Sequence, residues 1–478
     1  MNRQISRLFV LFVALFGVLL AFTSRWTVFD AKSLQDKPAN RRPLLEAQRI
    51  PRGLIFAADG LKLATNRHTG KRETLRYYRT YPAGGLFAHA VGYAYISRGS
   101  AGIEKSYNRD LTGRQDEFKS LIDQFSGGTK EGDDLHTTLD PAAQRAALSA
   151  LAGQRGSIVA LDPRDGAIKA MASIPSYNPN DVPERYAQLN SDPSSPLFNR
   201  ATQARYPPGS TFKVVTAAAA LDSGKYTPES FINGSSPKVI SGVPLRNDFN
   251  QDFGTITLTD ALTHSVNTVF GEVGEKLGTG TMLRYMRRFG FGTKLGLDYP
   301  SEEITRSGVF AGQHLLGSGD SIDIGRVAIG QERLQVTPLQ MAMVAAAVAN
   351  GGRLMTPRLV DRVTAPDGAP RSTNRPSELS TVMSRKAASE LGAMMSRVVQ
   401  EGTGTAAALE GIDVAGKTGT AEVANGTSNQ AWFIAFAPVR DPRVAIAATV
   451  ERTSGQGGTV AAPMAKQVMQ VILGETGG

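Results

Sequence analysis

Cysteine is absent from the 478 residues. That excludes a thiol nucleophile, a disulfide framework and any cysteine-ligated zinc or iron–sulfur centre. Histidine is scarce: His68, His89, His136, His264 and His314 are all there are, with no pair four residues apart, so a histidine-built metal site is not expected. No cofactor or metal is called for. A Gly-x-Ser-x-Gly elbow is missing, which leaves a histidine-dependent hydrolase without its anchor. Blocks of one charge are missing as well. The net charge of +10 sits mainly in residues 1–140, with 21 Lys and Arg against 14 Asp and Glu, but it is scattered and no nucleic-acid-binding motif accompanies it. Nucleic acid is therefore not an expected partner; an anionic membrane surface or an acidic polymer fits better.

Apolar residues make up 41% and charged residues 20%, enough for packed cores under a solvated surface, and the length suits two to four domains. Leu8 to Phe22 is an unbroken apolar run of 15 residues between Arg7 and Arg25. With Thr23 and Ser24 it spans roughly 25 Å as a helix, the short end of what a bilayer core requires. A cleaved secretory signal has a similar length, but Ala21-Phe22-Thr23 is a poor cleavage site and Trp26 stands where an interfacial aromatic would. Arg3 and Arg7 argue for a cytoplasmic N-terminus. The expectation is an uncleaved single-span anchor, with residues 30–478 outside the cytoplasm. No ATP is expected there, so a bond-forming reaction must draw on a bond already in its substrate.

Residues 27–140 read as an irregular α/β spacer, with Asp59-Gly60 as a hairpin turn between short strands. From 141 the pattern sharpens. Asp140 caps a helix from Pro141 to Leu151, and Ser157–Leu161 and Ala167–Met171 are strands joined by a turn. Val414–Val423, Trp432–Ala437 and Arg443–Glu451 are three late strands, and a helix from about Ala462 to Leu473 follows. Residues 200–400 are Ala-, Leu- and Met-rich and read mostly as helices. The class is α+β: an antiparallel five-stranded sheet assembled from both ends of one domain, flanked by helices. The divisions are an anchor at 1–26, the spacer at 27–140 and the main domain at 141–478.

Three short motifs in that domain carry chemistry. In Pro207-Pro208-Gly209-Ser210-Thr211-Phe212-Lys213, prolines leave Ser210 in the first turn of a helix with Lys213 on the same face. A neutral lysine within reach can take the proton of a serine nucleophile, and the helix dipole favours a developing oxyanion. An N-cap serine with a solvated lysine would look the same. Ser265-Val266-Asn267 pairs a proton-relaying hydroxyl with an amide able to hold a substrate carbonyl; a polar turn would look the same. Lys417-Thr418-Gly419-Thr420 lies inside a predicted strand. Glycine there marks a close backbone approach, and Lys and Thr beside it suit a carboxylate, although a β-bulge with an exposed lysine is the plainer alternative.

Singly these motifs are weak, but their order is not. Ser-x-x-Lys, Ser-x-Asn 55 residues later and Lys-Thr-Gly in a late strand together resemble the penicillin-recognising serine acyltransferases. The similarity is greatest to class B penicillin-binding proteins and runs nearly the whole length. It includes Arg52-Gly-x-Ile55, Gly102-Ile-Glu104, Leu111-Thr-Gly113, Tyr177-Asn-Pro-Asn180, Gln331-Glu332, Thr337-Pro338 and Glu401-Gly-Thr-Gly404. Gly402 to Ala407 also fits a dinucleotide fingerprint, but it follows a helical segment and reads as a loop beside the site. About 110 residues ahead of 141 leave no room for a glycosyltransferase domain.

The resemblance implies a pedestal at 27–140, a penicillin-binding transpeptidase domain at 141–478, and a peptidoglycan stem peptide ending in D-Ala-D-Ala as substrate. It implies Ser210 as nucleophile, Lys213 as base, Ser265 as proton relay and Asn267 on the substrate backbone. Lys417, Thr418, Gly419 and Thr420 would meet the terminal carboxylate, and the N–H groups of Ser210 and Thr420 would form the oxyanion hole. β-Lactams would acylate Ser210, and like-charge repulsion from Lys417 would depress the pKa of Lys213. The implied partners are stem peptides, the cytoplasmic membrane and a polytopic glycan polymerase of the shape–elongation–division–sporulation type. A D,D-carboxypeptidase, a β-lactamase, or a non-catalytic β-lactam sensor or scaffold remain as alternatives. No Glu-x-x-Leu-Asn element stands between Lys213 and Lys417, and the acids nearest Ser265 in sequence are Asp260 and Glu272.

Overall fold

The computed structural model describes residues 2–25, 48–71, 74–113, 131–423 and 428–474; Trp26 and the spacer stretches 27–47 and 114–130 lie outside the described residues. The N-terminal helix runs from Asn2 to Ser24. Its start lies ahead of the apolar run, because Arg3 and Arg7 are good helix formers. It is the one helix among the described residues long and apolar enough to cross a membrane. Its apolar span Arg3–Ser24 measures about 33 Å, matching a bilayer core better than the run of apolar residues alone.

A sheet of six strands follows. Ile55–Phe56 pairs antiparallel with Lys62–Thr69 through the expected turn, where Asp59 Oδ1 accepts from Leu61 N (2.9 Å) and Gly60 has φ +86°. Arg76–Thr80 extends one side, and Asp134–Thr137 lies parallel to Ile55–Phe56 on the other. The far edge comes from beyond residue 140: Val360–Thr364 pairs with Asp134–Thr137 and carries Pro370–Thr373 outward. The sheet is thus shared across the expected division. Beneath it Glu104 is fully buried and accepts from Arg79 Nε (2.5 Å) and Arg52 Nε (2.6 Å). Burial pushes the Glu104 carboxyl up, but Arg79 and Arg52 together hold it below its usual range. Removing one member of such a buried group typically destabilises by about 3–5 kcal/mol, so Arg52, Arg79 and Glu104 form one structural device.

The main sheet has the order Ala415–Val423, Ser428–Ala437, Val444–Thr453, Gly156–Leu161, Ile168–Ile174, antiparallel throughout. Its composition follows the period of two. Trp432, Ile434 and Phe436 enter one core while Phe433, Ala435 and Ala437 enter the other, which explains why the run is apolar without alternation. Helices Pro141–Leu151 and Ala461–Leu473 cover the second face. Asp140 caps the former as expected, accepting from Ala142 N (2.8 Å) and Ala143 N (3.1 Å). Helix Pro338–Ala349, apolar on every face but for Gln340 and buried from Pro338 to Val348, fills the first core with Lys213–Asp222 and Arg385–Gln400.

The stretch 200–400 is less helical than its composition suggests. Short pairs such as Phe231–Asn233 with Thr255–Thr257 and Lys238–Ile240 with Val243–Leu245 interrupt it. Of these strands only Ile232, Ile240 and Leu245 are buried, so their cross-strand partners define them.

Candidate active site

The chain approaches the first motif along two braces. Tyr206 exchanges backbone hydrogen bonds with Val336, and Trp432 Nε1 donates to Pro207 O (3.0 Å). Gly209 then takes φ +52° and opens a tight 3₁₀ turn, Gly209–Phe212; the α-helix begins only at Lys213. Ser210 therefore lies one turn ahead of the helix, not inside it as the sequence predicts. The reason is steric: a Cβ on Gly209 would lie 2.7 Å from Thr420 O, so the turn is wedged under the neighbouring strand. In a 3₁₀ turn residues i and i+3 eclipse, which stacks Ser210 and Lys213.

Lys213 is fully buried. Its Nζ donates to Ser265 O (2.6 Å), Asn267 Oδ1 (2.6 Å) and Ser265 Oγ (3.2 Å). Among the described residues no hydrogen bond joins it to Ser210 Oγ. Lys417, equally buried, donates to Ser265 Oγ (2.9 Å) and Thr418 O (3.1 Å). Two lysines from distant parts of the chain thus meet on one hydroxyl. Ser265 is placed there by strain: it joins helices Leu258–Thr263 and Asn267–Leu277 with φ +61°, a left-handed conformation that costs a non-glycine residue about 1 kcal/mol.

Burial lowers the pKa of Lys213 to about 7, opposed by the Asp248 carboxylate. Lys417 is pushed well below the usual lysine range by burial and then by the charge of Lys213. With both Nζ atoms on Ser265 Oγ, the repulsion between the two ammonium groups is mutual and disfavours charging both lysines at once. Neither lysine has a carboxylate in salt-bridge contact among the described residues, so a neutral Lys213 is accessible near pH 7.

Asn267 also donates through Nδ2 to Asp248 Oδ1 (3.1 Å) and Arg246 O (3.2 Å). Asp248 was not legible as a site residue: it lies 19 positions from Asn267, in a loop with no motif. The two acids nearest Ser265 in sequence are engaged elsewhere. Glu272 pairs with Lys238 and Lys276, while Asp260 accepts from Thr257 Oγ1 (2.7 Å).

Lys417 to Thr420 lie on the Ala415–Val423 strand, the edge of the main sheet. The close approach expected at Gly419 is present: a Cβ would meet Pro208 O at 2.7 Å and Thr211 Cγ2 at 2.8 Å. Gly419→Ala should therefore push strand and nucleophile turn apart and slow penicillin acylation by about 10²-fold, since ångström-scale misplacement has effects of that size. Stopped-flow acylation kinetics would measure it, and a wild-type rate would show that the spacing is not critical. Thr418 Oγ1 bonds Thr403 Oγ1 (2.6 Å), which places the Glu401–Gly404 loop beside the site as expected, and Thr420 Oγ1 accepts from Gly457 N (3.1 Å). Ser210, Ser265, Asn267, Thr418, Gly419 and Thr420 all line one open cleft of about 1410 Å³, together with Asp248 and Thr403.

Residues 156–470 match the penicillin-binding protein transpeptidase domain, and residues 52–135 match the penicillin-binding protein A dimerisation domain. The peptidoglycan D,D-transpeptidase PbpA of Mycolicibacterium smegmatis is 36% identical, over 99% of this chain and 100% of that one. The D,D-transpeptidase MrdA of Acinetobacter baumannii is 32% identical, over 84% of this chain and 67% of that one. The structure of penicillin-binding protein A from M. tuberculosis as a ceftriaxone acyl-enzyme superimposes with a TM-score of 0.81 at 33% identity, covering 90% of this chain and 100% of that one. A buried lysine pair on one serine, under a glycine-bearing edge strand, is thus found in a chain that belongs to the class B penicillin-binding proteins.

Proposed function

We propose that Ser210 is the nucleophile of a peptidoglycan D,D-transpeptidase and that Lys213 is its general base. The observation that carries the assignment is the convergence of Lys213 and Lys417 on Ser265 Oγ, one turn from a serine exposed to the cleft. Neutral Lys213 takes the Ser210 proton as Oγ attacks the penultimate carbonyl of a stem peptide ending in D-Ala-D-Ala. The N–H groups of Ser210 and Thr420 receive the oxyanion, a contribution of about 3 kcal/mol per donor. Ser265 passes the proton to the leaving D-alanine, Asn267 holds the substrate backbone, and Lys417, Thr418 and Thr420 meet the terminal carboxylate. The free edge of the Ala415–Val423 strand suits an extended peptide. An amine of a second stem then takes the acyl group, and β-lactams stop the cycle by acylating Ser210.

The penicilloyl-enzyme should persist for many minutes, far beyond an ordinary turnover of about 10 s⁻¹. A β-lactamase needs a base for the deacylating water, and Asp248, the acid brought into contact with the site amide, is held by Asn267 Nδ2. Intact-mass spectrometry after a short penicillin pulse tests this. Rapid return of the unmodified mass with excess penicillin consumed would favour the β-lactamase.

The Asn2–Ser24 helix supports a single-pass anchor with the catalytic domain outside the cytoplasm and a polytopic glycan polymerase as neighbour in the membrane. The domain division is taken as anchor 1–26, pedestal 27–140 and transpeptidase 141–478, with strands of the last completing the pedestal sheet. Removal of residues 1–26 should yield a soluble protein that penicillin still acylates. A folded but unreactive product would show that the anchor has a role in the chemistry.

A further inference from the structure

A second groove adjoins the catalytic cleft. Glu332 and Gln335 line the cleft and also wall a groove of about 540 Å³. Its other walls include Phe198 and Arg205, ahead of the nucleophile turn, and Phe310 in the strand Gly308–Ala311.

Two features mark it as a ligand site. Arg205 lays its guanidinium over the Phe310 ring, 4.3 Å from the centroid, and donates to Gln313 Oε1 (2.9 Å). No carboxylate pairs with it among the described residues. The charged side chains lining the groove are Arg205, Arg333 and Glu332, and Glu332 Oε1 is already taken by Arg333 Nε (2.8 Å). One positive charge is left uncompensated, on a guanidinium that stacks on a ring and spends one N–H on Gln313, with its other N–H groups still able to meet an anion. The second feature is Glu332 itself. It has φ +64°, a strained left-handed residue on the ridge that cleft and groove share. The ridge is braced by Gln331 N to Arg326 O (3.1 Å) and Arg333 Nη2 to Ser321 O (2.9 Å). Strain of this kind gathers where a ligand is clamped.

We propose that this groove binds the acceptor stem peptide, with Arg205 receiving its carboxylate and the Gln331–Gln335 ridge leading its amine into the cleft. The inference rests on the acyl-transfer assignment of Ser210. A transpeptidase must hold two peptides at once. The donor takes the edge of the Ala415–Val423 strand, so the acceptor needs another approach to the acyl-serine. A stem peptide offers a terminal carboxylate and aliphatic side chains, and the groove offers a guanidinium with no carboxylate partner among the described residues and two aromatic walls, Phe198 and Phe310. In the step itself the neutral amine nitrogen bonds to the acyl carbon, the ester C–O bond to Ser210 breaks, and the amine proton returns to Ser210 Oγ through Lys213.

The test uses the full-length protein in detergent and an acyl-D-alanyl thioester as donor. Two acceptors compete for the one acyl-enzyme: a stem peptide with a free C-terminal carboxylate and the same peptide amidated there. Wild type should favour the carboxylate form about tenfold, the scale of one charge-assisted hydrogen bond. Arg205→Ala should lose that preference, and Arg205→Lys should keep part of it. Because the readout is a ratio drawn from one acyl-enzyme, any effect of the substitutions on acylation cancels. An Arg205→Ala ratio equal to wild type, or no preference in wild type, overturns the proposal. Penicillin adduct mapping on the same preparation reports separately on Ser210: failure there removes the acyl-transfer assignment, whereas an intact adduct with an unchanged ratio removes only the acceptor groove.

Discussion

Replacing Ser210 by alanine is expected to abolish covalent labelling by a fluorescent penicillin while leaving the thermal unfolding profile unchanged. The first half follows from position. Ser210 is the hydroxyl that stands in the cleft on the turn carrying Lys213, and Gly209 and Gly419 let that turn and the edge strand pack backbone to backbone. The second half follows from the absence of partners. Among the described residues Ser210 Oγ makes no hydrogen bond, so its removal leaves no buried group unsatisfied, and a surface-facing change of this kind is usually worth under 0.5 kcal/mol. Peptide mapping of the wild-type adduct completes the measurement. An adduct on Ser265, the other hydroxyl in reach of Lys213, would move the nucleophile there.

The site was legible in the sequence to the extent that it is local. Ser210 with Lys213, Ser265 with Asn267, and Lys417 with Thr418 to Thr420 each lie within one turn or strand, so spacing alone records their relation. The five-stranded sheet was legible because four of its strands are largely apolar runs bounded by turns, whereas the edge strand Ala415–Val423 carries Lys417, Thr418, Thr420 and Glu422 and was read from its place in the late strand series. What spacing does not record is convergence. Nothing in the pattern tells that Lys213 and Lys417 share Ser265 Oγ, or that Asp248 reaches the Asn267 amide, because these contacts depend on three elements far apart in the chain. The start of the Lys213 helix was missed for a similar reason: Ser210 is kept out of it by the strand that Gly209 abuts. The short strands between residues 231 and 257 are tertiary pairings whose exposed Phe231, Val239 and Val243 carry no burial signal of their own.

Lys213→Ala should lower the acylation rate by at least 10²–10⁴, the usual worth of general-base assistance, and the wild-type pH profile should show why. The lysine acts as a base only when neutral. Burial brings its pKa to about 7, so the acylation rate constant should rise with pH through about 7 and level off above it. Two pH units below that midpoint the neutral fraction, and with it the rate, should have fallen about 100-fold. Asp248 opposes the effect of burial, favouring the charged form of Lys213. Asp248→Asn should therefore lower the pKa further and move the acid limb to lower pH, at the expense of some plateau rate through the altered partner of Asn267. The same sign governs stability. The folded state binds the Lys213 proton less tightly than the unfolded chain does, so stability should rise with pH between about 7 and the ordinary lysine value of 10.5. Benzylpenicillin acylation followed from pH 5 to 9 in wild type, Lys213→Ala and Asp248→Asn separates the possibilities. A profile that stays flat through neutrality, or an acid limb that Asp248→Asn leaves in place, would transfer the base role from Lys213 to another group in the cleft.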